Sequence, residues 1–478
     1  MKYDADSKRM PGIRWIKTIK KINVTIMSAV NYDYYSMEVL LNYNRHRDGK
    51  SYLVCREKFY IFPIFSFIGL QYNLYYLDLF VKNGRTEMKK IIPIKEHLAR
   101  KAAINGKAGT AIMSSALHDE RIMKLVTTHY NSITCENEMK PEIILGEKPT
   151  YRVDSSGNIC LDDSGEPILK LDFSRADKIM DYIKLYNKEN PNDIIRVRGH
   201  VLVWHSQTPD WFFREKYDCQ CPYVTEKKML KRLQDYIREV IFHYDGENSS
   251  YRGIIYAWDV VNEQIEPDDF DPQVNPDSVR FMCNGKNTGW YNVFHGNISY
   301  ITQAFVFANQ YSPKDVKLFY NDYNDADPIK RDAICSLLRK IKETKGARID
   351  GMGMQAHYHM EDPSVELIGE AVRKYSLNVE EVQFTEFDIQ SSKNYDGSDK
   401  ETERIKEGRR YKEIFNRIYS LDQEEGINIT GITFWGAHDG VSWLRDFSAV
   451  GGGADGRRPQ MPLPFDEECS AKPSYWGI

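Results

Sequence analysis

Two glutamates at the ends of short apolar runs are the residues of this sequence best suited to chemistry. Glu263 ends the run IIYAWDVVNE at 254–263, and Glu386 ends the run VQFTE at 382–386. Short apolar runs rich in β-branched residues are typical of strands that are buried on both faces. α/β barrels do their chemistry at the carboxyl ends of such strands, where two carboxylates can serve as acid and nucleophile facing across a sugar.

The elements that must position these glutamates can be followed from about Glu96, where helix-like and strand-like segments alternate as in a parallel α/β sheet. The strand candidates are 109–113, 133–140, 194–200, 254–263, 316–320, 349–355, 382–386 and 427–435. Eight such units, separated by amphipathic stretches, predict an α/β fold of the (β/α)8 TIM barrel type. Segments 151–168, 264–289 and 447–465 are rich in turn residues and predict insertions on the barrel rim, the first of them a hairpin.

The first 88 residues have a different character from the rest of the chain. They contain clusters of Tyr and Phe that alternate with aliphatic residues, a pattern that predicts a small β-rich unit. No motif of a functional site lies in this part. We therefore interpret residues 1–88 as an N-terminal accessory segment whose role is open, and residues 89–478 as the barrel domain that carries the chemistry.

The composition excludes several kinds of partner. A formal net charge of −4 over 478 residues gives no overall attraction to nucleic acid or to anionic lipid. The eight cysteines are few for this length, and the single residue between Cys219 and Cys221 is shorter than the usual zinc-knuckle spacing. The most apolar segment, 59–70, is too short to span a bilayer, and no export signal is visible. We expect no metal, no cofactor, no nucleic-acid or membrane partner, a monomer, and a cytoplasmic protein, with secretion as the alternative.

Polar and aromatic residues crowd the ends of the predicted strands. They are Glu136, Asn137, Lys140, His200, Trp204, His205, Gln207, Asn262, Glu263, Asn321, Tyr323, Gln355, His357, Glu386, Asp388, Trp435 and Trp443. Aromatic faces stack on the apolar side of a pyranose, while amides, carboxylates and lysine bond to its hydroxyls. The set predicts a carbohydrate-binding cleft at one mouth of the barrel.

Eight motifs, in order along about residues 90–478, resemble those of the family 10 glycoside hydrolases, the β-1,4-xylanases. They are ENEMK (136–140), GHVLVWHSQTPDW (199–211), WDVVNE (258–263), YNDYN (320–324), the GxGxQxH run (351–357), TEFDI (385–389), WGxxDxxSWL (435–444) and the tail PFD…KPSY (464–475). The resemblance implies a retaining endo-1,4-β-xylanase that cuts internal bonds of xylan or xylo-oligosaccharides through a covalent glycosyl-enzyme intermediate.

The resemblance also implies a role for each matching residue. Glu263 would be the general acid/base and Glu386 the nucleophile. His357 would bond to Glu386, with Asp388 behind it to orient the imidazole. Asn262 would bond to the 2-hydroxyl of the sugar that is cleaved, a contact that tightens in the transition state.

Ten further residues would contact the substrate by the same resemblance: Glu136, Asn137, Lys140, His200, Trp204, Gln207, Tyr323, Gln355, Trp435 and Trp443. Trp435 and Trp443 look like the hydrophobic walls beside C5 of the sugar. In the family such walls leave little room for the hydroxymethyl group that distinguishes glucose from xylose, so xylan is preferred.

Four other interpretations stay open at this point. The enzyme could be a β-1,4-glucanase, or it could be restricted to short xylo-oligosaccharides if the rim insertions block the cleft. His357 and His359 could serve a metal-dependent barrel hydrolase, although the first strand offers no ligand of the kind that class needs. A non-catalytic sugar-binding protein could have kept the cleft, although both glutamates and their supporting residues are present.

Overall fold

The computed structural model describes residues 22–31, 34–43, 52–61, 77–82, 85–101, 106–269, 273, 275–447 and 458–478. The chain forms two compact units, Met1–Ile91 and Ile92–Ile478. The boundary inferred from the sequence, between residues 88 and 89, lies close to this division, and the roles assigned to the two parts stay predictions. Parts of two predicted insertions, 270–272, 274 and 448–457, lie outside the described residues.

The described backbone of the N-terminal unit consists of strands. They are β1 (Ile22–Asn31), β2 (Tyr34–Tyr43), β3 (Tyr52–Ile61), β4 (Leu77–Lys82) and β5 (Arg85–Lys90). The first three form an antiparallel sheet in chain order, and β4 pairs with β5 as a separate antiparallel ribbon. Every pairing in the described part of this unit is therefore antiparallel.

The second unit is a closed barrel of eight parallel strands. The strands of this unit are β6 (Lys107–Ile112), β7 (Ser132–Cys135), β8 (Arg196–Trp204), β9 (Ile255–Asn262), β10 (Met282–Cys283), β11 (Lys286–Asn287), β12 (Lys317–Asp322), β13 (Gly351–Met354), β14 (His357–His359), β15 (Glu381–Gln390) and β16 (Ile429–Phe434). The barrel runs β6-β7-β8-β9-β12-β13-β15-β16, and the pairing of β16 with β6 closes it. The predicted (β/α)8 fold is confirmed, and β14 extends the mouth by pairing with the end of β15.

Three strand ends differ from the prediction by four residues or more. The second strand ends at Cys135 rather than near residue 140, because Lys140 is the N-cap of a short helix that Pro141 begins. The third strand continues to Trp204 instead of ending near residue 200, and the strand predicted to end at Glu386 continues to Gln390. All three differences lie at the carboxyl ends of the strands, where polar residues of the mouth interrupt the apolar pattern.

Helices lie between successive barrel strands. In chain order they are α1 (Ile94–Lys101), α2 (Glu120–His129), α3 (Pro141–Leu145), α4 (Ser174–Glu189), α5 (Glu226–Asp245), α6 (Gly289–Phe294), α7 (Ser299–Tyr311), α8 (Pro328–Glu343), α9 (Val365–Ser376), α10 (Lys400–Gln423), α11 (Leu444–Phe447) and α12 (Pro473–Gly477). The side chain of Thr225 caps the N-terminus of α5, and that of Asp327 caps the N-terminus of α8. These caps satisfy backbone N–H groups of the first turn and so define where each helix begins. Of the helices in the described ranges, none is long and apolar enough to cross a bilayer.

Close packing of two neighbouring strands aligns residues that face the site. All eight residues of β9 are buried. A Cβ on Gly199 of β8 would lie 2.3 Å from the ring of Trp258 on β9, so glycine is required for this approach. The same contact places His200 of β8 in register with Asp259 of β9.

The predicted hairpin at 151–168 is a pair of tight loops instead of one hairpin. Isolated antiparallel bridges join Val153 to Ile159 and Leu161 to Pro167, and a third joins Tyr151 to Leu169. In each loop an aspartate accepts backbone N–H groups two and four residues on, from Ser156 and Asn158 in the first and from Ser164 and Glu166 in the second. These turn-forming aspartates explain why two separate Gly-containing turns occur here.

Candidate active site

Both candidate glutamates lie at the carboxyl-terminal mouth of the barrel. Glu386 is inside β15, whereas Glu263 directly follows β9. The backbone of Glu263 turns into the left-handed region with φ 55°, and its N–H donates to the carbonyl of Asn321 on β12 at 2.9 Å. A non-glycine residue in this conformation is uncommon and is concentrated at functional sites. The turn gives Glu263 a different direction from the alternating side chains of its strand.

Three donors bond to the carboxylate of Glu263. The indole Nε1 of Trp204 donates to Oε2 at 2.8 Å. The amide of Gln355 donates to Oε1 at 2.7 Å, and that of Asn262 donates to the same oxygen at 3.1 Å. The residue itself is partly exposed. These contacts fix where its oxygens lie, while the residue keeps some access to solvent.

Glu386 is more deeply buried, with 5% of its surface exposed. The amide of Asn321 donates to Oε1 at 2.7 Å, and Nε2 of His357 lies 3.2 Å from Oε2. Burial by itself would raise the pKa of Glu386, but the hydrogen bond from His357 and the nearby His200 and His357 charges outweigh it, so the pKa is lowered below its ordinary value. The Glu386 carboxyl is therefore ionised at neutral pH.

A second carboxylate holds the imidazole that faces Glu386. Nδ1 of His357 lies 3.0 Å from Oδ1 of the fully buried Asp388. Burial would lower the pKa of His357, but the charge and hydrogen bond of Asp388, together with Glu386, raise it to about 10. Trp443 donates from Nε1 to the other oxygen of Asp388 at 2.8 Å. His357 is thus an imidazolium at neutral pH, placed between two carboxylates.

Amide side chains connect the two glutamates. Oδ1 of Asn262 accepts from Asn321 at 2.9 Å and from Gln355 at 3.2 Å. Since Asn321 also bonds to Glu386 and Gln355 also bonds to Glu263, one amide network reaches both carboxylates. The sequence assigns Asn321 no role beyond its place among the strand-end polar residues, and in the structure it lies one residue before the end of β12.

One group of predicted substrate residues lies together on the side of α3. The ammonium of Lys140 donates to Oδ1 of Asn137 at 3.0 Å and lies 4.9 Å from the ring centroid of Trp204. Burial raises the pKa of Glu136 to about 7 against the attraction of Lys140, and burial also lowers the pKa of Lys140. Gln207 bonds through its amide to the carboxylate of Glu142 at 3.3 Å.

His200 takes part in a buried ionic network. It is 2% exposed, and its Nδ1 lies 3.0 Å from Oδ2 of Asp259. Arg198 pairs with the same aspartate at 2.5 Å and donates to Gln383 at 2.8 Å. Since Asp259 takes Nδ1, Nε2 is the ring nitrogen of His200 that remains for a hydrogen bond to a ligand.

The remaining aromatic candidates surround the histidines or lie apart from them. The buried Trp435 packs edge-on to His200, with ring centroids 5.5 Å apart, and to His357 at 6.3 Å. Trp443 lies 4.8 Å from His357. The hydroxyl of Tyr323 instead donates to Glu266 at 2.6 Å, within the loop that follows Glu263. The structure therefore brings the two tryptophans together around His357, whereas Tyr323 bonds within the loop that follows Glu263.

His357 and His359 are the pair that suggested a metal site. His357 is occupied by Glu386 and Asp388. Across the described ranges, no group of three or more His, Cys, Asp or Glu side chains is arranged to hold a metal ion. The positions of His357 and His359 therefore do not support the hypothesis of a metal-dependent hydrolase.

Comparison with known proteins adds to this geometry. The family model of Glycosyl hydrolase family 10 matches residues 97–478. Endo-1,4-β-xylanase A of Thermotoga maritima is 35% identical over 81% of this chain and 31% of its own length. Endo-1,4-β-xylanase B of Paenibacillus barcinonensis is 33% identical over 78% of this chain and 94% of its own length.

A solved structure gives the same result for the fold. The crystal structure of an intracellular xylanase from Thermoanaerobacterium saccharolyticum is 31% identical and superposes with a TM-score of 0.61, over 82% of this chain and 99% of that one. The chain spans about a third of the Thermotoga protein and 51% of endo-1,4-β-xylanase B of Butyrivibrio fibrisolvens, so those relatives carry further sequence that it does not match.

Proposed function

This chain belongs to glycosyl hydrolase family 10, and we propose that it is a retaining endo-1,4-β-xylanase that hydrolyses internal bonds of xylan or xylo-oligosaccharides. The observation that carries the proposal is the pair of glutamates at one barrel mouth. The partners of Glu386 hold it ionised, whereas Glu263 is partly exposed and is bonded by three neutral donors. One nucleophilic carboxylate and one acid are what retention requires.

The first half of the reaction forms a covalent intermediate. Glu386 attacks the anomeric carbon while Glu263 gives its proton to the glycosidic oxygen, so the bond to the leaving sugar breaks and a glycosyl ester forms at Glu386. The imidazolium of His357 keeps Glu386 ionised before the attack. Asn321 and His357 each occupy one carboxylate oxygen and orient the group.

The second half returns the enzyme to its starting state. Glu263, now ionised, takes a proton from water, and the oxygen of that water attacks the anomeric carbon and displaces Glu386. The configuration at that carbon is thereby retained. Asn262, which bonds to Glu263 in this structure, lies between the two carboxylates, where it can bond to the sugar 2-hydroxyl.

The residues on the side of α3 are proposed to bind the sugars that stay with the nucleophile. Their donors and acceptors suit hydroxyl groups, and the ring of Trp204 offers a stacking face. Trp435 and Trp443 are proposed as the walls that exclude a hydroxymethyl group, because they enclose His357 next to Glu386. The curated relatives described above carry xylanase names, which supports xylan as the substrate.

Product analysis on xylohexaose, long arabinoxylan and cellohexaose tests the proposal. We expect internal cleavage of both xylose substrates by the wild type, none by Glu386→Ala, and little turnover of cellohexaose. Cleavage of xylohexaose alone would restrict the enzyme to short oligosaccharides. Preferred turnover of cellohexaose, or full activity of the variant, would contradict the proposal.

A further inference from the structure

In the loop that follows Glu263, residues 278–280 pair with residues 264–266 at its beginning. Ile265 and Val279 form an antiparallel bridge, and the N–H of Arg280 donates to the carbonyl of Gln264 at 2.8 Å. The N–H of Glu266 donates to Ser278 at 2.9 Å. The loop therefore returns Arg280 to within one residue of Glu263, although the two are far apart in sequence.

The guanidinium of Arg280 contacts the main chain of Glu263. Its Nε donates to the Glu263 carbonyl at 3.2 Å, and its Nη2 donates to Oε2 of Glu266 at 2.7 Å. Nη2 also donates to the hydroxyl of Tyr323, which itself bonds to Glu266. Only 11% of the Arg280 side chain is exposed. Several hydrogen bonds and its burial therefore hold the guanidinium in one position.

These contacts matter because Glu263 adopts a backbone conformation that most residues avoid. Its N–H is held by the carbonyl of Asn321 and its own carbonyl by Arg280. The two bonds lie on opposite sides of the left-handed residue, so together they fix the direction of its Cα–Cβ bond. That direction decides whether the carboxyl reaches the oxygen of the leaving group.

We propose that Arg280 is a positioning residue for Glu263, and that it holds the main chain of this residue so that its carboxyl can protonate the leaving group. The inference rests on the proposed function and deepens it, because it concerns only the step in which the glycosidic oxygen gains a proton. Arg280 itself touches no reacting atom. Its forked geometry is essential, since a lysine could reach Glu266 or the carbonyl of Glu263 but not both in the same way.

The test varies the basicity of the leaving group while the rest of the substrate stays the same. kcat/KM is measured for a series of aryl β-xylobiosides, from 2,4-dinitrophenyl to phenyl, with the wild type, Arg280→Met and Arg280→Lys. For the dinitrophenyl substrate, which departs without a proton, we expect changes within about threefold. For the phenyl substrate we expect a loss of about 10- to 100-fold with either variant. Every aglycone is one ring, so lost sugar contacts beyond the scissile bond do not enter the comparison.

A merely structural role would give a different pattern. An equal loss at every leaving group, or full rescue by Arg280→Lys, would overturn the proposal. Arg373→Met is the matched control, because it removes an arginine that pairs with Glu425 on the outer face of the barrel. This control should leave the dependence on the leaving group unchanged.

The same assay distinguishes a failure of the proposed function, or of folding, from a failure of the role proposed for Arg280. If the wild type turns over no xylobioside at all, the proposed function fails rather than the role of Arg280. If Arg280→Met does not fold, Arg280→Lys decides, and Tyr323→Phe gives a second measure. This last variant keeps the bond from Arg280 to Glu263, so we expect a smaller dependence on the leaving group than with Arg280→Lys, and an equal or larger dependence would contradict the proposal.

Discussion

The two glutamates of the cleft are supported by different parts of the molecule. Glu386 lies within a barrel strand, and its partner His357 begins a strand that pairs with the same one, so Asp388 and His357 are neighbours in register. Glu263 lies just beyond its strand and depends on a loop residue, Arg280, to complete its backbone bonds. One support is built by regular strand pairing, and the other by an insertion.

This difference in support matches the different requirements of Glu386 and Glu263. Glu386 must stay charged in a buried place, and the hydrogen bond and charge of His357, together with His200, offset the cost of burial. The carboxyl of Glu263 must point at the glycosidic oxygen. Its three donors and its backbone turn fix the direction of this carboxyl. Electrostatics thus dominates on one side of the scissile bond and positioning on the other.

The largest expected effect separates these two sides. Glu386→Ala should reduce kcat/KM by about 10⁵-fold for every leaving group, because no covalent intermediate can form. Glu263→Ala should lose about 10²- to 10⁴-fold on xylohexaose but remain active on 2,4-dinitrophenyl β-xylobioside. Steady-state kinetics on both substrates gives the result.

Glu381→Gln serves as the control for these variants, because Glu381 is a buried carboxylate at the opposite end of the same strand. It should keep nearly full activity. If Glu386→Ala retained activity with the dinitrophenyl substrate while Glu263→Ala lost it, the two roles would have to be exchanged.

A smaller effect, about 100-fold in kcat/KM, is expected for His357→Gln. Removal of the imidazolium takes away a group that lowers the pKa of Glu386, so that pKa rises. Because the nucleophile must be ionised, the acid limb of the pH profile of kcat/KM moves to higher pH. His359→Gln, two residues along the same strand, should leave the limb in place, and an unchanged limb in His357→Gln would show that the imidazolium does not tune Glu386.

The stability of the wild type should also reflect His357. Its pKa is raised from 6.5 to about 10 in the folded protein, so its contribution to stability is fully present below pH 6.5 and is lost as the pH rises through about 10. Melting temperatures between pH 6 and 10 should therefore fall more steeply for the wild type than for His357→Gln. Parallel curves would contradict this linkage.

The smallest expected effect concerns Glu136, which titrates near neutral pH because burial raises its pKa from 4.5 to about 7. A raised carboxyl pKa means that stability is fully present below pH 4.5 and is lost as the pH rises through about 7. Glu136→Gln should therefore gain about 2 to 3 kcal/mol relative to the wild type between pH 5 and pH 8, measured by urea unfolding. Gln207→Ala, which removes no titrating group, should show a difference independent of pH.

Much of the barrel could be predicted from the sequence because its strands are short apolar runs with polar residues at their ends. The residues at which the strands end are harder to predict, since the turn at Lys140 and the extension to Trp204 depend on contacts at the barrel mouth. The two glutamates could be found for the same reason that the strands could. Their neighbours in space could not, because a parallel barrel joins residues that are far apart in sequence.

Two residues illustrate that limit. Asn321 lies one residue before the end of β12, but only the register of β12 beside β9 reveals that it bonds to Asn262 and to Glu386. Arg280 lies in an insertion without periodicity, and its contact with Glu263 depends on how that loop returns. No pattern of residue types predicts such a return, so this half of the support for Glu263 becomes visible only in three dimensions.

The most direct test of the central claim, that Glu386 is the nucleophile of a retaining reaction, is to trap the intermediate. The wild type is incubated with 2,4-dinitrophenyl 2-deoxy-2-fluoro-β-xylobioside, which forms the glycosyl ester but hydrolyses it slowly, and the digested protein is sequenced by tandem mass spectrometry. We predict one fluoroxylobiosyl group per chain, attached to Glu386. A label on Glu263 or on any other residue, or turnover of the reagent with inversion and without a label, would contradict the account.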